Sequence, residues 1–206
     1  YHCGRLELLQ QRDSLGDTNT QRSFHYDEQG RLWQELDAQT GTVTYGYNSA
    51  DLVSTLTTLA PGPGQQPQTT TTYYNRMLQA TNVVLSGGRS ITTAYLPTGE
   101  IRLRHGWHCY PVGYTCDYAG RIQTMTTWPN WPQTNRATLT TWHYDPQRGW
   151  LDRKRFADDT GPEYQHTPGG RVQRRTWARE VAPGSGVRLH TVYSYNPAGD
   201  LASVTY

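Results

Sequence analysis

The sequence predicts an all-β protein: an array of consecutive β-hairpin repeats that curl into a spiral antiparallel sheet. Three observations predict it. A short aromatic–turn–aliphatic stretch recurs in eight copies along the 206 residues. The turns within it carry Asp or Asn, Pro and Gly in a fixed order. No long segment shows a helical period, and the apolar runs are short and bounded by turns at regular spacing.

The fullest copy is Phe24-His25-Tyr26-Asp27-Glu28-Gln29-Gly30-Arg31-Leu32. Phe24 and Tyr26 are two apart, so on a strand they share a face. Asp27 suits the first position of a type I turn, where its side chain accepts a local backbone hydrogen bond. Gly30 suits the left-handed position that follows such a turn in a bulged hairpin. Leu32 then returns to the buried face. Asn196-Pro197-Ala198-Gly199, Leu96-Pro97-Thr98-Gly99, Thr167-Pro168-Gly169-Gly170 and Asp117-Tyr118-Ala119-Gly120 repeat this grammar. Asp145-Pro146-Gln147-Arg148-Gly149 carries one extra residue, Asn48-Ser49-Ala50-Asp51 lacks the glycine at Ala50, and the turn after Tyr74 reads as cut short.

The flanks keep phase with the turns. The anchor position before each turn reads Tyr26, Tyr47, Tyr74, Tyr95, Cys116, Tyr144, His166 and Tyr195, at spacings of 21, 27, 21, 21, 28, 22 and 29 residues. Two beyond each glycine position stand Leu6, Leu32, Leu52, Ile101, Ile122, Leu151, Val172 and Leu201. Three features in phase mark a true repeat, so residues 1–206 are expected to form a single continuous array. The Pro- and Gly-rich stretches at 61–67, 129–132 and 183–186 fall at one phase of the repeat and read as loops on one edge. A sheet of some sixteen short strands must twist, curl or close.

Composition agrees. Hydrophobic residues make up 34% and aromatics 12%, with 15 Tyr and 7 Trp against 2 Phe. Rings with a polar tip suit a thin, half-wet layer better than a thick core. The net charge of +2 is too small to imply nucleic-acid or membrane-surface binding. No apolar run is long enough to span a bilayer as a helix. The chain opens and stops part-way through a unit, without capping repeats, and is expected to be a piece of a larger protein truncated at both ends.

Sites of chemistry are sparse. Cys3, Cys109 and Cys116 make no disulfide framework. On one strand, Cys109 and Cys116 would stand about 23 Å apart on opposite faces, at ~3.3 Å per residue. His105, His108, Cys109 and Cys116 match no standard zinc spacing, so no metal is expected. Asp158 and Asp159, near Asp152 and Glu163, read as turn residues before they read as paired catalytic carboxylates. No nucleophile–base set shares a unit, so neither catalysis nor a cofactor is expected. Arg-rich stretches suit cross-strand pairing with acids and stacking on rings. The aromatic rows read as ladders between hairpins. Trp107, Trp128, Trp131 and Trp150 lie near turns, outside those ladders, and are the candidate ligand surface.

The Tyr-Asp-x-x-Gly-Arg-Leu core at Tyr26–Leu32 resembles the Rhs/YD (tyrosine–aspartate) repeat. Gly120-Arg121-Ile122 and Gly170-Arg171-Val172 keep its second half and Tyr144-Asp145 its first. The resemblance covers essentially the whole chain, with local departures at Ala50, after Tyr74, and at Cys116 and His166. It implies a spiral of strands wound into a hollow, shell-like solenoid. In bacterial toxin systems of this family the shell holds a C-terminal effector, and a related spiral serves in animal cell-surface adhesion. On that basis the chain is expected to be a structural module of a secreted or surface bacterial protein, packed against its own neighbouring repeats and C-terminal cargo. The structural anchors are then Tyr26, Asp27, Gly30, Tyr47, Tyr95, Gly99, Gly120, Tyr144, Asp145, Gly149, Gly170, Tyr195 and Gly199. The alternative is an adhesive surface or filament that takes a glycan or protein at the turn-edge tryptophans. No autoproteolytic segment is recognised, so the resemblance carries over no catalytic residue.

Overall fold

The computed structural model describes residues 4–12, 14, 16 and 18–206. Cys3 and the opening Tyr1-His2 lie outside the described residues. Among those described there are seventeen strands and no helix. The chain divides into two compact units, one running to Ala94 with His105–Cys109, the other made of Tyr95–Arg104 and Tyr110–Tyr206.

The first unit is a run of antiparallel strands paired in sequence order: β1 (Leu8–Arg12), β2 (Thr18–Tyr26), β3 (Leu32–Asp37), β4 (Gly41–Tyr47), β5 (Val53–Thr58), β6 (Gln68–Tyr74), β7 (Ala80–Val84) and β8 (Ser90–Tyr95). Strands β9 (Ile101–Gly106) and β10 (Cys109–Cys116) follow. In the second unit β10 pairs with β11 (Ile122–Thr127), and the order continues through β12 (Thr138–Tyr144), β13 (Leu151–Arg155), β14 (Glu163–His166), β15 (Val172–Glu180), β16 (Arg188–Tyr195) and β17 (Leu201–Thr205).

Each hairpin has the same closure. In the fullest copy the Gly30 amide donates to the Asp27 carbonyl at 2.8 Å and the Asp27 amide to the Arg31 carbonyl at 2.9 Å. The Asp27 carboxylate accepts the Arg31 amide at 2.8 Å. Gly30 has φ +80°, the left-handed conformation that only glycine adopts freely. Register then slips by one residue just before the anchor, so that Tyr26 faces Leu32 while His25 faces Gln34. The same bulge recurs at Tyr47, Tyr74, Cys116, Tyr144, His166 and Tyr195. A bulge at each of these seven anchors adds twist at the same point of the hairpin.

Two turns differ from expectation. The turn after Tyr74 is full length, not cut short: the Leu78 amide donates to the Asn75 carbonyl at 3.0 Å, and Asn75 Oδ1 accepts the Met77 and Gln79 amides. Leu78 takes the glycine's place at φ +62°, which hid the turn from a reading by residue type. At Asn48 the glycine's place belongs to Asp51, at φ +58°, and not to Ala50. Asp tolerates that conformation better than other residues with a side chain.

Neither face is buried as expected. Among the described residues no large hydrophobic side chain is buried, whereas Thr140, Pro162 and Thr191 are. Leu201 and Ile122, both at the aliphatic position, are 55% and 40% exposed. Each unit is a single sheet with no second layer of its own, so the tie between repeats falls to edge contacts.

An edge contact within one hairpin lies in the short loop after β3. Asp37 Oδ1 accepts the Gln39 and Thr40 amides at 2.8 and 2.9 Å, and Arg22 meets its other oxygen at 2.9 Å. The amides, then Arg22, hold its carboxyl at about 2 against an ordinary 3.8. A carboxylate lowered in the fold stabilises it above the unfolded pKa and loses that contribution as pH falls through the folded one. The thermal midpoint should therefore fall between pH 4 and pH 2 less steeply in Asp37→Asn than in the wild type, read by circular dichroism.

Candidate functional site

The site repeats along the tight-turn edge of both units. It is a joint between one hairpin and the next, made of a tyrosine, an arginine, a carboxylate and a glycine.

The tyrosine reaches back. Tyr26 Oη donates to the Leu6 carbonyl at 2.8 Å, Tyr47 to Leu32 at 2.6 Å, and Tyr74 to Val53 at 2.7 Å. In the second unit Tyr144 donates to Ile122 and Tyr195 to Val172, both at 2.8 Å. Every acceptor stands at or beside the aliphatic position of the preceding repeat. That carbonyl sits at the bulge, where the regular ladder leaves it available. Burial pushes the Tyr47 and Tyr144 phenols above their ordinary pKa, which keeps them protonated as donors.

The arginine after the glycine reaches forward. Arg31 pairs with Asp27 of its own turn at 2.7 Å, pairs with Asp51 of the next turn, and lies 4.6 Å over the Tyr47 ring. Arg121 pairs with Asp117 at 2.7 Å, donates to the Gly149 carbonyl at 2.8 Å, and lies 4.4 Å over Tyr144. Arg5 and Arg171 stack on Tyr26 and Tyr195, each at 5.6 Å. Desolvation raises the Asp27 carboxyl, and the Arg31 amide and guanidinium more than offset it. For Asp117 the Arg121 guanidinium is the largest influence, and it lowers the carboxyl.

The turn glycines have a second role here. A Cβ on Gly30 would overlap the Arg5 guanidinium, and one on Gly149 would overlap that of Arg121. Gly199 receives Arg171 in the same way. The glycine both turns the chain and leaves the berth for the preceding arginine. Gly99 closes its turn on Leu96 at 3.0 Å, and Gly120 and Gly170 close theirs on Asp117 and Thr167 at 3.0 and 2.9 Å. Asp145 accepts the Gln147 amide at 3.0 Å in the one-residue-longer turn.

Four joints lack the arginine: Leu52 and Gln79 stand in its place ahead of Tyr74 and Tyr95, and at two others the anchor changes as well. Glu100 stands where arginine would, and its Oε1 lies 3.0 Å from the position of a Cβ on Gly120. The next anchor is Cys116, whose thiol is pushed up by burial, then by Glu100 and Asp117. Trp150 also stands in the arginine's place, packed on Gly170 and 5.2 Å from the ring of the next anchor, His166. Both departures from tyrosine thus follow a departure from arginine in the repeat before.

The forward reach of the arginines was the part that sequence reasoning missed. Its signal was the residue immediately after each turn glycine. By the same count Trp150 belongs inside the ladder. The other three candidate tryptophans also have partners. Trp107 lies under Arg89 at 4.1 Å and against His108 at 4.6 Å, Trp128 covers Gly113, and Trp131 packs on Trp128 at 5.3 Å.

The remaining candidates are turn and strand residues. Asp158 accepts the Thr160 amide and hydroxyl at 3.0 and 2.7 Å, which lower its carboxyl. Glu163 is shared between Arg155 at 2.7 Å and Arg188 at 3.0 Å. Cys109 and Cys116 lie at the two ends of β10 and are not bonded to each other. Among the described residues no three His, Cys, Asp or Glu side chains gather as a metal site.

A joint of this kind, repeated strand pair by strand pair, defines an antiparallel β-hairpin repeat array whose copies are tied edge to edge. No protein-family model matches the sequence, and no curated protein does. Solved structures match the fold. The chain superposes on TcdB2-TccC3 with a TM-score of 0.60 and on TcdB2-TccC3-TEV with 0.61, at 12% identity in each case. It also superposes on the Photorhabdus luminescens Tc holotoxin pore with 0.51, again at 12% identity. The match covers 96%, 96% and 94% of this chain but only 13% of each of those chains. At that identity the likeness is one of fold, and it fits the hairpin-repeat fold that the resemblance of Tyr26–Leu32 to the Rhs/YD repeat implied.

Removing one tyrosine hydroxyl should cost about 0.5–1.5 kcal/mol, the net worth of one hydrogen bond. Tyr144→Phe should lower stability to urea by that amount, and Tyr144→Ala by more. Tyr118→Phe, at a turn tip where the ring is 97% exposed, should change nothing.

Proposed function

We propose that this chain is a non-catalytic wall segment of a hollow β-shell, and that the shell encloses a C-terminal toxin or other cargo of the same secreted or surface bacterial protein. The observation that carries this reading is the joint. Where both are present, tyrosine reaching back and arginine reaching forward tie a hairpin to its neighbours, so the array can extend as a continuous sheet without a second layer. The fold likeness to proteins of a Tc holotoxin supports it. The joint does mechanical work: it orients strands, and no group in it is placed to bind or turn over a substrate. The adhesive alternative would need open aromatic platforms, and Trp107, Trp128, Trp131 and Trp150 each already pack on a neighbour.

Limited proteolysis of the full-length protein tests the proposal. In the wild type the C-terminal segment should stay intact at a protease level that digests the same segment expressed alone. Gly149→Val, which fills the berth of Arg121, should expose it. Equal cutting of the enclosed and the isolated segment would sink the proposal.

A further inference from the structure

The joints are unequal, and one within the second unit differs from the Tyr47 joint in its ladder, in its anchor and in its forward group. The clearest comparison is with the Tyr47 joint. Leu32 stands fifteen residues before Tyr47, and Leu151 stands fifteen before His166. Both joints are bridged by a short loop, and they differ in what holds them.

At the Tyr47 joint, β3 and β4 share four register pairs, Gln34 with Thr44 through Asp37 with Gly41. At the His166 joint, β13 and β14 share one, Arg153 with Glu163. The reason is local. Strand β14 has four residues and is preceded by Pro162, which accepts from the Lys154 amide at 2.9 Å but has no N–H to return. Gly161, at φ +156°, lies close against the Lys154 backbone where the next ladder pair would form.

The side chains differ as well. Tyr47 ties its joint by a 2.6 Å bond to Leu32, whereas His166 has no hydroxyl to offer Leu151. Arg31 bridges to Asp51, whereas Trp150 in its place meets His166 only ring to ring, at 5.2 Å. Across the β13–β14 line the Lys154 amide still donates to the Pro162 carbonyl at 2.9 Å and the Phe156 amide to the Thr160 carbonyl at 2.7 Å. The shortest side-chain ties are the Arg155–Glu163 ion pair at 2.7 Å and a 3.3 Å contact from Arg148 to the Pro168 carbonyl. Both side-chain ties involve exposed or half-exposed groups, and ion pairs of that kind contribute little.

We infer that the β13–β14 junction is a built-in seam, the line along which this array opens before its neighbouring junctions do. Residues up to Arg155 stay with the hairpins before it. Glu163, held by Arg188 and with its strand paired to β15 through four register pairs, stays with those after. The inference rests on the joint geometry alone and stands whether or not the array encloses a cargo. In a closed wall it would name the place where the wall yields.

Hydrogen exchange on the full-length protein, read by mass spectrometry, tests it. Amides in 151–156 and 162–166 should exchange about tenfold faster than those in 32–37 and 41–47, the effect of one missing tie and a broken ladder. The double variant Trp150→Arg with His166→Tyr recreates the Arg31–Tyr47 pair and should slow exchange at the seam toward the reference segments. Equal protection in the wild type overturns the inference. So does a double variant that leaves the seam fast while 41–47 keeps its protection. If the variant misfolds, 41–47 loses protection too, and the wild-type comparison alone decides.

Discussion

A tyrosine hydroxyl bonded to the carbonyl of the hairpin before it is the contact on which these units depend. A sheet whose large hydrophobic side chains all stay partly exposed gains less from the usual driving force of folding. Ladder hydrogen bonds pair strands but leave their relative twist and slide soft. The bulge beside each anchor releases one carbonyl from the ladder, and the phenol takes it. The tie thus uses a group that the bulge would otherwise leave to water, and it does so at the point where the local twist is greatest.

The arginine and the glycine complete the same joint from the other side. A guanidinium can stack on a ring and donate in its own plane at once, which an ammonium cannot. Arg121 does both, over Tyr144 and to the Gly149 carbonyl. That posture needs a flat approach to the next turn, and only a residue without a side chain permits it at Gly149. Where the forward group changes to Glu100 or Trp150, the ring it would have met changes too, to Cys116 or His166. Tyrosine nonetheless stays at Tyr74 and Tyr95, where Leu52 and Gln79 replace the arginine, so the anchor changes at two of the four joints that lack the cation.

How much of this was legible depended on distance along the chain. Phe24, Tyr26, Asp27 and Gly30 could be read because strand alternation and turn geometry act within four residues. Arg31 could not be assigned its partners, because Tyr47 and Asp51 lie a loop away and the loop length varies from repeat to repeat. Leu78 concealed a complete turn, since residue preference says glycine and the asparagine side chain holds the turn regardless. Trp150 was set among the loose aromatics because the extra residue in the Asp145 turn shifts it off the expected count. The aliphatic row was legible as a row, but its half-exposed state depends on what else covers the sheet, which the pattern of one layer does not contain.

The joint also has a direction. A hairpin with both groups offers a hydroxyl to its predecessor and a cation to its successor, so any two repeats of the Arg–Tyr type meet as plug and socket. Deleting or duplicating a whole repeat of that type leaves every remaining plug with a socket. Gene-level slippage can then lengthen or shorten the array without new compensating changes. Repeats that carry Glu100, Cys116, Trp150 or His166 are keyed to particular neighbours, and they mark the places where such recombination leaves a mismatch.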